Sequence, residues 1–159
     1  MAKCTMEPLL KRAQKGRYAV GAFNVHSLEG AQAIVAAAEE ELSPVILQIN
    51  QATIDYAGLE PIVAMVQAVA DKAYVPVAIN LDHCTHFPTA VQCMAKGFTA
   101  VMFDGSNMSL EQNINAVCQV VKVAQALGVD VEGEVGRIEG VEDDLIGSSS
   151  QYTDVDSAE

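Results

Sequence analysis

The sequence is short of positive charge, of paired cysteines and of long apolar runs, and each shortage closes off a class of function. Nine lysines and arginines stand against 21 aspartates and glutamates, for a formal charge of -12. So acidic a chain repels phosphate backbones and anionic headgroups, which argues against nucleic acid and against a membrane surface as partners. The four cysteines, Cys4, Cys84, Cys93 and Cys118, form no CxxC pair. Cys93 and Cys118 fall in helix-like segments and read as small buried hydrophobes. The apolar runs are too short and too interrupted to span a bilayer. The opening residues, with Lys3, Glu7 and Lys11, lack the apolar stretch of a secretory signal. Free thiols in a reducing cytoplasm are the expectation that follows.

Apolar residues, by contrast, make up 50% of the 159 positions, enough for one domain with a sizeable core. Short Val/Ile/Phe-rich runs at Tyr18–Val25, Val45–Ile49, Val77–Leu81, Thr99–Phe103 and Val129–Val135 read as strands covered on both faces. Helix-period segments lie between them. Ser27 is placed to cap Leu28–Glu41, and a second helix runs from Leu59 to about Ala73 with Pro61 in its first turn. A third covers Pro88–Lys96. The fourth opens on Ser109-Leu110-Glu111-Gln112, a capping box, with Ile114, Val117, Val121 and Ala124 on one face and Gly128 at its end. Thr5–Lys15 forms an extra helix ahead of the first strand. Strand–helix alternation implies parallel strands joined by right-handed crossovers. Five strands suit either an open doubly wound sheet or part of a (β/α)8 barrel, since a full barrel takes about 250 residues. The composition change after Asp144 favours the partial barrel.

In parallel α/β folds the site lies beyond the carboxyl ends of the strands. The first strand exits at Asn24 and His26, the second at Gln48, Asn50 and Gln51, and the third at Asp82-His83. The fourth exits at Asp104-Gly105-Ser106-Asn107, and the fifth runs through Glu132 and Glu134. Strand interiors read as apolar and strand entries as ordinary turns. Asn24, Asn50 and Asn107 taken singly also suit caps and turns. Glu134, placed inside the fifth strand, needs a cation to offset its burial. Acids and an imidazole on one rim suggest a divalent metal such as zinc. The His83-Cys84-Thr85-His86 run is not itself a zinc cluster, because adjacent residues at a strand exit point apart. His86 reads as a surface or helix-start histidine. The acidic run Glu142-Asp143-Asp144 reads as a solvated loop.

Four segments together, Gly21–Val25 (GAFNV), Leu81–His83 (LDH), Val101–Ser106 (VMFDGS) and Val131–Asp144 (VEGEVGRIEGVEDD), resemble the class II, zinc-dependent ketose-bisphosphate aldolases. The likeness runs through nearly the whole chain in order and spacing. It implies a (β/α)8 TIM barrel, with residues 1–159 as the N-terminal part of one barrel domain and strands six to eight absent. The implied activity is reversible aldol cleavage of a ketohexose 1,6-bisphosphate, fructose 1,6-bisphosphate first and tagatose 1,6-bisphosphate second. Carried over position by position, Asp82 matches the acid that exchanges a proton with the C4 hydroxyl, and His83 matches a ligand of the catalytic Zn2+. Asp104 and Glu134 match ligands of a second or alternative metal position. Glu142 matches a loop carboxylate that moves the C1 proton, and Asn24 a substrate-contacting amide. The resemblance also implies a cytoplasmic homo-oligomer, a dimer or larger.

The alternative to a metal in this chemistry is a Schiff-base lysine, but none of the six lysines lies at a strand exit. The family's other two zinc histidines and its phosphate loop come from later strands, so the 159 residues alone are expected to be inactive. Glu139-Gly140 stands where the family carries Gly-Gly, and Asn50 and Gln51 where Ser or Gly is frequent. Two other readings are a non-catalytic half-barrel that acts by association with another chain, and a complete five-stranded receiver- or flavodoxin-type fold.

Overall fold

The computed structural model describes residues 3–136, 140–142, 145–147 and 152–158, with backbone only at 140–142 and 145–147. A helix, α1 (Glu7–Gly16), precedes β1 (Gly21–Asn24). The chain then alternates through α2 (Leu28–Glu40), β2 (Val45–Asn50), α3 (Gln51–Ala57), α4 (Leu59–Ala70), β3 (Val77–Cys84), α5 (Phe87–Ala95), β4 (Ala100–Phe103), α6 (Leu110–Leu127) and β5 (Asp130–Gly133). A short antiparallel pair, β6 (Gly140–Glu142) and β7 (Leu145–Gly147), and a single turn, α7 (Val155–Ala158), follow.

The five long strands pair in parallel and in sequence order, β1-β2-β3-β4-β5. That order excludes a flavodoxin-type sheet, whose second strand lies outside the first. Odd-numbered strand residues (Val45, Leu47 and Ile49, then Val77, Ile79 and Leu81) pack with Val35 of α2, Val66 of α4, Cys93 of α5 and Val120 of α6 in one apolar layer. The crossover helices thus share one face of the sheet, the arrangement of a barrel wall. Among the described residues the opposite face carries only α1, whose Leu9, with the preceding Met6, covers Ile46, Ala78 and Ala100 at the entry ends of the strands. No helix among the described residues is long and apolar enough to cross a membrane.

The sequence expectations hold for the order of elements, and the departures have local causes. The capping box forms, with Gln112 N–H donating to Ser109 Oγ and Ser109 N–H to Gln112 Oε1, and Gly128 closes α6 in the left-handed conformation. The buried stripe of α6, however, is Asn113, Val120 and Ala124, and Ile114 is 52% exposed. Cys118 is exposed rather than buried, while Cys93 is buried as expected. An unexpected helix, α3, starts at once after β2, because Asn50 Oδ1 accepts from the Thr53 N–H and caps it. β5 ends at Gly133, so Glu134 lies just beyond the strand instead of inside it.

Candidate metal centre and acid–base site

β3 runs three residues past the expected end, and its register against β4 slips there. Leu81 faces Val101, yet Cys84 faces Phe103. Asp82 and His83 therefore both stand opposite Met102, the two-against-one count of a β-bulge. His83 takes up the extra residue in the left-handed region, φ 44°, a conformation that non-glycine residues adopt at some energetic cost. Adjacent residues of a regular strand point to opposite faces. The bulge interrupts that alternation between Asp82 and His83, both of which stand at the exit rim of β3.

His83 Nδ1 lies 3.1 Å from Asp104 Oδ2 and 3.7 Å from Glu134 Oε2. One ligand atom from each of His83, Asp104 and Glu134 falls within 4.8 Å of the others. Ligands held at about 2.0–2.2 Å from a tetrahedral cation sit roughly 3.4 Å apart, so the nitrogen and two oxygens fit a divalent ion. Cys84 and His86 take no part in this group. Cys84 Sγ donates to the His86 carbonyl, and His86 is exposed at the N-terminus of α5.

Each candidate ligand is set by a different element. Asp104 follows β4 directly, is fully shielded at its side chain, and accepts the Ser106 N–H on Oδ1. The turn and the site are thus one structure. Burial raises the Asp104 pKa, but hydrogen bonds from His83 and Ser106 outweigh it and leave the carboxyl below its usual value. Glu134 is held from behind: Asn113, in the first turn of α6, donates from Nδ2 to the Glu134 carbonyl at 2.7 Å. Gly105 makes room for this, since a Cβ there would overlap the Asn113 carboxamide.

Asp82, next to His83 in the chain, is buried and accepts a 2.8 Å hydrogen bond from Gln48 Nε2. Asn24 ends β1, in register with Gln48, and is exposed. Glu142 closes β6, paired with Leu145, and its side chain lies outside the described residues, as do Asp143, Asp144 and Glu139. Asn50 caps α3 and Asn107 sits in an exposed turn, the ordinary uses of those residues.

The reading of strand interiors as apolar misses a set of polar residues. Gln48, Asn80 and Glu132 lie on the concave face, and Asn80 Nδ2 donates to Gln48 Oε1 at 2.7 Å and to Glu132 Oε2 at 3.2 Å. Their signal was the period-2 series Ile46-Gln48-Asn50 and Ala78-Asn80-Asp82, masked by the uniformly apolar odd positions between them.

Residues 4–159 match the family model described as "Fructose-bisphosphate aldolase class-II". The fructose-bisphosphate aldolase of Geobacillus stearothermophilus is 43% identical over 157 residues, which cover 97% of this chain and 55% of that protein. The 6-phospho-5-dehydro-2-deoxy-D-gluconate aldolase of Halalkalibacterium halodurans is 44% identical over 159 residues, again 55% of its length. Among solved structures, the YdjI aldolase of Escherichia coli K12 superposes with a TM-score of 0.85 at 28% identity, over 98% of this chain and 56% of that one. The chain thus spans about half the length of these relatives. Its wall of parallel strands and one-sided helices supplies the first five βα units of a (β/α)8 barrel, and the chain belongs to the class II fructose-bisphosphate aldolase family.

Proposed function

We propose that residues 1–159 form the N-terminal part of a single barrel domain, and that the complete enzyme cleaves and forms a ketohexose 1,6-bisphosphate. Fructose 1,6-bisphosphate is the preferred substrate in this proposal. The observation that carries it is the convergence of His83, Asp104 and Glu134 beside Asp82 at the exit ends of three consecutive strands. The relatives at 43% and 44% identity act on different phosphorylated sugars by their names, so overall similarity does not select the substrate.

His83 would hold a zinc ion, with Asp104 and Glu134 at the same or an adjacent position. Bound there, the ion supplies Lewis-acid stabilisation of the charge released by bond cleavage. The chain's own residues handle protons. Asp82 takes the C4 hydroxyl proton, the pair freed from that O–H bond forms the aldehyde carbonyl, and the pair from the broken C3–C4 bond remains with the three-carbon fragment as its C2–C3 enediolate. Glu142, protonated at the start of this half-reaction, then gives its proton to the former C3 to yield dihydroxyacetone phosphate, and glyceraldehyde 3-phosphate departs. Asn24 contributes an amide to the substrate. Burial of Asp82 in a hydrogen-bonded setting suits a base that must be aimed before it reacts.

The test is turnover of fructose 1,6-bisphosphate by the complete enzyme before and after chelation. Activity should disappear with EDTA and return with zinc, whereas turnover indifferent to chelation rejects the metal route. The 159-residue chain alone should show little or no activity, because one histidine cannot complete the zinc site.

A second reading rests on a separate observation. β1 and β5 each pair on one side only among the described residues, and Phe23 of β1 is 52% exposed. Open edges of this kind invite a second chain, so a non-catalytic half-barrel would act by association. A strictly monomeric 159-residue protein over a wide concentration range counts against it.

A further inference from the structure

We infer that Glu132, through Asn80 and Gln48, fixes the direction of a hydrogen-bond relay that holds Asp82 for proton transfer, which makes these three positioning residues for the proposed reaction. The inference rests on the aldolase reading for its consequence, but the relay itself stands on geometry alone. Four side chains from β2, β3 and β5 join end to end: Glu132 Oε2 accepts from Asn80 Nδ2, Asn80 Nδ2 also donates to Gln48 Oε1, and Gln48 Nε2 donates to Asp82 Oδ1.

The two middle members are amides, and either end of an amide can be turned toward a neighbour. The two outer members are carboxylates, which when ionised only accept. Glu132 therefore admits only the nitrogen of Asn80. With that nitrogen shared between Glu132 and Gln48, Gln48 must present its oxygen to Asn80 and its N–H to Asp82. The orientation has a visible consequence: Asn80 is almost wholly buried and its Oδ1 has no hydrogen-bond partner among the described residues. An amide free to turn would use that oxygen, since leaving one bare in a buried site is costly. Turning it would set a carbonyl against Glu132 and reverse the relay, with Gln48 Oε1 facing the Asp82 carboxylate. The directed relay instead restrains Asp82 Oδ1, so the carboxylate approaches its proton donor in one orientation.

The decisive variant exchanges the acid and the amide. N80D/E132Q keeps net charge and nearly keeps volume, but a carboxylate at position 80 accepts from both neighbours and turns the oxygen of Gln48 onto Asp82. The single variant E132Q can still offer a carbonyl oxygen to Asn80 but no longer enforces it, so the direction is kept only in part. In the complete zinc-loaded enzyme, kcat of N80D/E132Q should fall about 10- to 100-fold, the usual scale for a supporting hydrogen bond. KM should stay within about twofold, because the relay acts on the transition state and not on substrate binding. E132Q should fall between wild type and the double variant. Wild-type kcat in the double variant or in E132Q, a loss in E132Q as large as in the double variant, or a change confined to KM would each overturn the inference. A second measurement covers a double variant that fails to fold: in wild-type enzyme labelled with 15N and 13C, a through-hydrogen-bond coupling should link Gln48 Nε2 to Asp82 Cγ. Its absence also overturns the relay. Failure of the wild-type enzyme to turn over any phosphorylated ketose would sink the aldolase reading alone, and the coupling would still decide the relay.

Discussion

Cys93 shows how far the interior departs from water. Burial, reinforced by the nearby Cys84, pushes its thiol from an ordinary 9.0 up to about 12. A raised folded-state value means the neutral thiol is favoured in the native protein. Its contribution to stability is fully present below pH 9 and is lost as pH climbs toward 12. Two results should follow. Thiol titration of the native chain should label exposed Cys118 quickly and Cys93 only on unfolding. Denaturant midpoints should decline above pH 9, and a Cys93→Ser or Cys93→Ala variant should decline less steeply there. At the metal group, H83A should lower zinc affinity, read by competition with a chromophoric chelator, and D104N should do so by about 10- to 100-fold if it acts as a ligand or ligand support. The sequence disclosed these residues one by one, because strand-end acids beside an imidazole are an uncommon way to make a turn. It could not disclose the one residue of slippage between β3 and β4 that places Asp82 and His83 together opposite Met102. Gln48, Asn80 and Glu132 were harder still to find, since polar residues inside strands acquire meaning only once the concave face is known.

At the scale of elements, ends were easier to read than faces. The capping box and Gly128 bounded α6 because both act through local backbone geometry. The buried stripe came out rotated because Asn113, a polar residue, takes an inward position to tie the Glu134 loop, and apolar periodicity ignores such residues. α3 went unread because Asn50 is at once the last residue of a strand and the cap of a helix, which leaves no loop to mark the change. Removing the cap in S109A should cost about 1 kcal/mol of stability, measured by urea unfolding. G105A probes the link between α6 and the site. Its Cβ would displace the Asn113 carboxamide from the Glu134 carbonyl, so zinc affinity should drop about 10-fold or more while helix content by circular dichroism stays unchanged. Retained affinity would show that Glu134 needs no such tether.

The whole molecule is a curved parallel wall with chemistry along one rim and apolar helices outside. This architecture was legible because each βα unit repeats the same pattern, and because five strands are too few for a barrel of the expected size. Whether the wall is singly or doubly wound was not legible, since strands in both arrangements are covered on both faces; the common helix layer decides it. The open edges at β1 and β5 predict that the isolated chain self-associates as concentration rises, by sedimentation velocity, and that a single monomeric species throughout would be the contrary result. At the mouth of the wall, side chains distant in sequence converge on a group that could hold one cation. Anomalous diffraction at the zinc edge from metal-loaded crystals tests it most directly. The expected result is a peak within about 2.0–2.2 Å of a His83 ring nitrogen, with the carboxylates of Asp104 or Glu134 alongside; zinc bound elsewhere, with this group bare, would rule the proposed site out.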